Sequence, residues 1–304
     1  MAKVLEALER AKQERQKKLD DERNATAATD SLNAIAGDAT YEDESQPETA
    51  PSAPVSRTHT VRREPVVHTQ ISEQVISAHD TQSPITEQLR QIRTNLETVL
   101  AEYRSRSLVI TSPVSGDGKT LVTANLATVL ADNPEHQVLL VDADLRKSDL
   151  YRLFGIRQTP GLSEYLREKA SLESVIHETS LPNLKLIPAG HPPSKPTVLL
   201  SSDRMLNLIA ELQRQYNWII FDTPPLLPVT DASVLARECV GLVLVVRMGQ
   251  THRKTVERAQ DLLAEMRLPV LGCILNDFVD TAPENQYYYK YYHKVRHEDG
   301  FRHR

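Results

Sequence analysis

SLVITSPVSGDGKTLVTANLATVL, residues 107–130, decides the fold. It opens as an apolar strand and closes as a helix from about Lys119, with a glycine-bearing turn between. In that turn glycine lets the backbone wrap an anion closely, and the helix N-terminus presents free N–H groups. Lys119 can reach terminal phosphates, and the Thr120 hydroxyl can ligate Mg2+. Pro113 stands where the pattern GxxxxGK[ST] has its first glycine. Ser115, Gly116, Asp117, Gly118, Lys119, Thr120 and Leu121 are therefore the candidate nucleotide contacts. The plain alternative, a turn that only joins strand to helix, loses ground to GKT in this setting.

Outward from this stretch, short apolar runs alternate with helical patterns. The strand-like segments are QVLLVDAD, NLKLIPAG, NWIIFDTPP, GLVLVVRMG and PVLGCILNDF. Between them lie a short helical region, then VLLSSDRMLNLIAELQRQ, DASVLARE and THRKTVERAQDLLAEM. Nearly continuous apolar strands separated by helices predict an α/β fold, a mostly parallel sheet with helices on both faces. Two of these strands end in carboxylates. QVLLVDAD carries Asp142 and Asp144, two residues apart and on one side of an extended segment, and NWIIFDTPP ends on Asp222. Ligands bind outside the carboxyl ends of strands in such sheets. Singly, each Asp also reads as a helix cap or turn residue. Three of them beside GKT read as a Mg-ATP site, with Thr120 and Asp222 around the metal.

The totals agree. The chain has 304 residues, 40% of them hydrophobic, enough for a real core. A formal charge of -5 argues against a general nucleic-acid or membrane-surface protein. Only Cys239 and Cys273 occur, no signal-peptide core is visible, and no apolar run approaches the ~20 residues that span a bilayer, so a cytoplasmic setting is expected. Residues 1–23 read as a charged helix, 24–82 as a flexible linker, 83–286 as the catalytic domain and 287–304 as a tyrosine-rich tail.

With these motifs in order, the chain resembles the bacterial tyrosine kinases built on a P-loop ATPase fold that accompany capsule and exopolysaccharide export. SPVSGDGKT is similar to their Walker A, LLVDADLRKS to their Walker A' and IIFDTPP to their Walker B. LIPAGHPPSKPTVLLSS, DTPPLLPVTDASVLA and LVVRMGQT resemble segments around the family's site. The resemblance implies Lys119 as phosphate clamp, Asp142 as proton acceptor and Asp144 as outer-sphere magnesium partner. By analogy with related ATPases it sets Asn276 against the adenine, where a turn-capping role reads as well. Glu87, Arg90 and Arg93 match an ExxRxxR pattern through which such kinases form ring homo-oligomers. Their spacing also fits an ordinary solvated helix face.

The resemblance further implies that Tyr287, Tyr288, Tyr289, Tyr291 and Tyr292 are autophosphorylation sites. From Tyr287 onward Lys290, Lys294, Arg296, Arg302 and Arg304 oppose Glu298 and Asp299, a formal charge of +3 with neutral histidine. Two phosphates, each adding roughly -1.5 to -2, bring that to about zero. A single-stranded nucleic-acid segment is the alternative for such a basic aromatic run, but nothing elsewhere supports it. The family also implies a transmembrane chain-length determinant as activating partner, placing this chain at the inner face of the membrane. Rival readings are a deviant-Walker ATPase of division-site or DNA-partitioning type, and a non-catalytic ATP-binding scaffold. Val114 stands where the former carries an early lysine.

Overall fold

The computed structural model describes residues 70–277. The charged helix 1–23, the linker up to residue 69 and the tail 287–304 lie outside the described residues.

The folded unit starts earlier than residue 83. Helix α1 (Ile76–His79) precedes α2 (Pro84–Val99), and Ile71 and Val75 enter the core beside α2. The Ser77 N–H donates to Asn125 Oδ1 at 3.0 Å, and Asn125 Nδ2 donates back to the Gln74 carbonyl at 3.3 Å. Residues 70–82 are thus part of the domain, a correction to the linker boundary. A few apolar residues in a polar stretch are too sparse for composition to register, yet Ile71 and Val75 each find a slot in the core. Ser83 caps α2 as expected, its hydroxyl accepting from Thr86 N at 3.1 Å with Pro84 in the first turn.

The remaining elements follow the alternation: β1 (Arg106–Thr111), α3 (Lys119–Ala131), β2 (Val138–Asp142), α4 (Leu150–Leu153), α5 (Leu162–Leu166), α6 (Leu172–Val175), β3 (His177–Glu178) and β4 (Leu184–Ile187). After these come α7 (Pro196–Leu200), α8 (Asp203–Gln215), β5 (Trp218–Asp222), α9 (Asp231–Ala236), β6 (Gly241–Arg247), α10 (Arg253–Glu265) and β7 (Val270–Asn276). The stretch expected as one helix, VLLSSDRMLNLIAELQRQ, divides at its serine pair. Ser202 leaves helical geometry and caps α8, its hydroxyl accepting from Met205 N at 3.3 Å.

The sheet has the order β3-β4-β2-β5-β1-β6-β7, parallel throughout except for the two-residue edge strand β3. Side chains alternate across it. Val109, Val141, Ile219 and Phe221 pack on one face against α8 residues such as Leu208 and Leu212. Leu108, Ile110, Leu140 and Ile220 pack on the other against α3 residues such as Leu126 and Val129. Burial on both faces explains why the strands read as unbroken apolar runs. The chain reverses direction across the sheet around β1, which lies between β5 and β6, and there the carboxyl ends of β1, β2 and β5 meet.

Candidate functional site

Gly116 and Gly118, at φ 94° and 84°, turn the backbone from β1 into α3 in the left-handed region. Gly118 is required twice over, since a Cβ there would lie 2.2 Å from Asn276 Nδ2. Among the described residues the N–H groups of Gly116, Gly118, Lys119 and Thr120 meet no protein acceptor, as expected where a helix start faces an anion.

Below this turn the three sequence-predicted carboxylates converge. Lys119 Nζ lies 3.3 Å from Asp144 Oδ2, 3.5 Å from Asp222 Oδ2 and 3.0 Å from Thr120 Oγ1. Thr120 Oγ1 donates to Asp222 Oδ2 at 2.7 Å, and Thr123 Oγ1 reaches Asp222 Oδ1 at 3.4 Å. Asp142 and Asp222 are direct register partners on neighbouring strands. Asp142 is fully buried and accepts from the Ser148 hydroxyl at 2.7 Å and from Asp144 N at 3.2 Å.

Three carboxylates surround one ammonium in a dry setting, and their proton affinities follow. Burial alone would lower Lys119, but the charges of Asp222, Asp144 and Asp142 outweigh it and hold the ammonium above its ordinary value. Burial pushes Asp222 up, against the opposing pull of Lys119 and the Thr120 hydrogen bond. Asp142 is pushed well above the usual carboxylate range, first by burial and next by the Asp222 charge, while Ser148 opposes the rise.

The donor set fits Mg-ATP. Unpaired N–H groups and Lys119 suit phosphate oxygens, and the excess negative charge suits a divalent cation. Among the described residues no group of three His, Cys, Asp or Glu side chains forms a metal cluster. Mg2+ does not need one, since it takes one or two carboxylates and completes its shell with phosphates and water. Thr120 and Asp222, hydrogen-bonded to each other at 2.7 Å, and nearby Asp144 are the side chains that could hold it.

Asn276 ends β7 against the phosphate-binding turn, donating to the Asp117 carbonyl at 2.9 Å. Asp117 is itself buried, its carboxylate accepting from Thr251 Oγ1 and, at 3.4 Å, from Val114 N. Ser115 and Leu121 are exposed at the mouth. Glu87, Arg90 and Arg93 line an open recess on α2. They do not simply face outward: Arg90 pairs with Glu87 at 3.3 Å and with Asp132 at 3.7 Å, and Arg93 donates to the Val129 carbonyl at 2.9 Å. Sequence reasoning missed Ser148, Thr251 and the buried Asp231, which binds Arg146 beside the carboxylates. A polar residue inside the family-like segment DTPPLLPVTDASVLA was the one available signal for Asp231.

A parallel sheet with a glycine turn, lysine and threonine at the β1–α3 junction and an aspartate ending β5 defines a P-loop nucleotide-binding domain, and the family described as AAA domain matches residues 105–250. Among named proteins, the tyrosine-protein kinase YwqD of Bacillus subtilis is 38% identical over 202 residues, 66% of this chain and 85% of that protein. CapB of Staphylococcus aureus, a putative tyrosine-protein kinase, is 35% identical over 70% of this chain and 93% of its own length. The solved kinase domain of Escherichia coli tyrosine kinase ETK superposes with a TM-score of 0.66 at 33% identity, covering 69% of this chain and 82% of that one. The chain belongs to the bacterial tyrosine-protein kinases. Longer relatives are spanned over only 27% to 29% of their length.

Proposed function

We propose that this chain is an ATP-dependent protein-tyrosine kinase whose substrate is its own C-terminal cluster, Tyr287, Tyr288, Tyr289, Tyr291 and Tyr292, presented by a neighbouring copy in a ring. The observation that carries the reading is the convergence of Lys119, Thr120, Asp144 and Asp222 beneath the unpaired N–H groups of the glycine turn. Bound Mg-ATP supplies the phosphoryl group and neutralises its charge. The chain's residues do the rest. Lys119 and the backbone N–H groups would hold its terminal phosphates. A tyrosine hydroxyl, with a pKa near 10, must lose its proton during transfer. Asp142 is the acceptor, its raised proton affinity suiting the task, and the phenol would replace its present donor Ser148.

The basic tail suits a carboxylate-rich site before modification and is repelled after it, so the ring assembles unphosphorylated and loosens on phosphorylation. Glu87, Arg90 and Arg93 contribute the contact between copies. The role assigned to this activity is control of capsule or exopolysaccharide polymerisation and export, with a transmembrane chain-length protein as activator, and the likeness to CapB and EpsB supports that reading. Among the described residues no helix is long and apolar enough to cross a membrane, and that partner would hold the chain at the cytoplasmic face.

The test is incubation with Mg-ATP and phosphosite mapping by mass spectrometry, with Lys119→Met as control. Phosphate on the tyrosine cluster of the wild type alone is expected. Its absence there with the activating partner supplied, or its presence on both proteins, refutes autophosphorylation of the cluster by this site. Equal solution mass before and after phosphorylation refutes the ring switch.

A further inference from the structure

Asp231, in the first turn of α9, is fully buried, yet three donors meet its carboxylate. Arg146 Nε lies at 2.8 Å, Arg146 Nη2 at 3.2 Å and Thr197 Oγ1 at 2.5 Å. A two-pronged guanidinium contact fixes the orientation of an arginine as well as neutralising charge. Thr197, in the first turn of α7, also accepts from Arg146 Nη2 at 3.1 Å, so one hydroxyl joins both partners. The cluster ties the start of α7 and the start of α9 to the turn that follows β2.

That turn holds Asp144. Strand β2 ends at Asp142, so no ladder fixes Asp144. Its Oδ1 is held by two backbone donors, Arg146 N at 3.3 Å and Lys147 N at 2.9 Å, while its Oδ2 faces Lys119. Both donor residues are exposed. Buried Leu145 anchors the inner side of the turn, and on its outer side the Arg146 side chain reaching inward to Asp231 fixes the backbone that donates to Asp144. Asp231 stands two links from the phosphate-binding lysine, through Arg146 and Asp144.

We propose that Asp231 is a positioning residue for Asp144, acting through Arg146 and Thr197, and thereby sets how readily the site takes up the divalent cation that accompanies the nucleotide. The proposal rests on the Mg-ATP reading of the site. Sequence spacing does not reveal the clamp, because Arg146 and Asp231 are 85 positions apart.

Its test uses the full chain and a fluorescent ATP analogue, with Mg2+ titrated to find the concentration of half-maximal binding. Arg146→Met and Asp231→Asn are each expected to raise that midpoint about tenfold, the scale of disturbing a residue that orients a metal partner. Analogue affinity without Mg2+ should stay unchanged. In an Asp144→Asn background neither substitution should shift the midpoint further, because the residue it positions is already disabled. A merely structural role would weaken binding with and without Mg2+ in both backgrounds. A wild-type midpoint in Arg146→Met, or an equal shift with and without the Asp144 carboxylate, overturns the proposal. If Asp231→Asn fails to fold, Arg146→Met, altered at a partly exposed side chain, decides alone. Wild-type protein that binds the analogue with no Mg2+ dependence overturns the underlying reading, and the positioning role with it.

Discussion

Lys119→Met in the nucleotide-free protein isolates the electrostatics of the site. Lys119 is 9% exposed, Asp144 4% and Asp222 1%, so its ion pairs at 3.3 Å and 3.5 Å lie in a poorly solvated setting. Removing one partner of such a pair costs about 3–5 kcal/mol, against at most ~1 kcal/mol for an exposed pair. Methionine keeps most of the side-chain volume, so the loss is chiefly of charge compensation. The deficit must depend on pH. Without the ammonium, Asp222 rises further above its ordinary value of 3.8. A carboxylate whose folded pKa is raised contributes stability that is present below its unfolded pKa and lost as pH rises through the folded one. The native variant thus binds more protons than its unfolded chain over that window, and its stability falls with rising pH by up to about 1.4 kcal/mol per unit for each such group. Urea unfolding of both proteins at pH 5, 6 and 7.5 should show the largest deficit at pH 7.5, a smaller one at pH 5 and unchanged m-values. Adding Asp222→Asn to the variant should recover part of the loss at pH 7.5. Equal stability at pH 7.5, or a deficit that does not change with pH, would refute the reasoning.

Gly118→Ala should cost about 1–2 kcal/mol for a left-handed residue and ~0.5–1.5 kcal/mol for pushing Asn276 off the Asp117 carbonyl. Combined with Asn276→Ala it should cost about 1 kcal/mol less than the two single losses together, and strict additivity in thermal unfolding would show that the two residues do not meet. Relative to a chain beginning at residue 70, one beginning at residue 83 forfeits the burial of Ile71 and Val75, roughly 1.5–3 kcal/mol each. Indistinguishable denaturant midpoints for the two truncations would return residues 70–82 to the linker. Cys273 is exposed, while Cys239 is buried and its thiol pushed up to about 12, so a thiol reagent should label one cysteine in the native protein and the second only on unfolding. Two fast-reacting thiols in the native protein would contradict the packing around Cys239.

Much of this protein is legible along the chain because its chemistry is local. The glycine turn, Lys119 and Thr120 lie within six residues, and the strand that ends on Asp222 announces itself as an apolar run closing in a carboxylate. Alternation of such runs with helical patterns is enough for a parallel sheet covered on both faces, since each pattern reflects the surroundings of one element at a time. The true start of the domain is hidden from composition for the same reason. Two buried side chains, Ile71 and Val75, do not alter the composition of the stretch around them.

What the tertiary structure alone decided is which distant residues share the site. Placing β5 between β1 and β2 makes Asp142 and Asp222 register partners, and the Asp222 charge, second to burial, helps to raise the proton affinity of Asp142. Arg146 reaches Asp231 across 85 positions, Thr251 reaches Asp117 across 134, and Asn276 reaches it across 159. Arg93, which by spacing alone lies on the open helix face, turns onto the Val129 carbonyl of α3. Motif spacing encodes what one turn or one strand end presents. Contacts over such separations depend on strand order and on which helix covers which face, and these are properties of the assembled sheet.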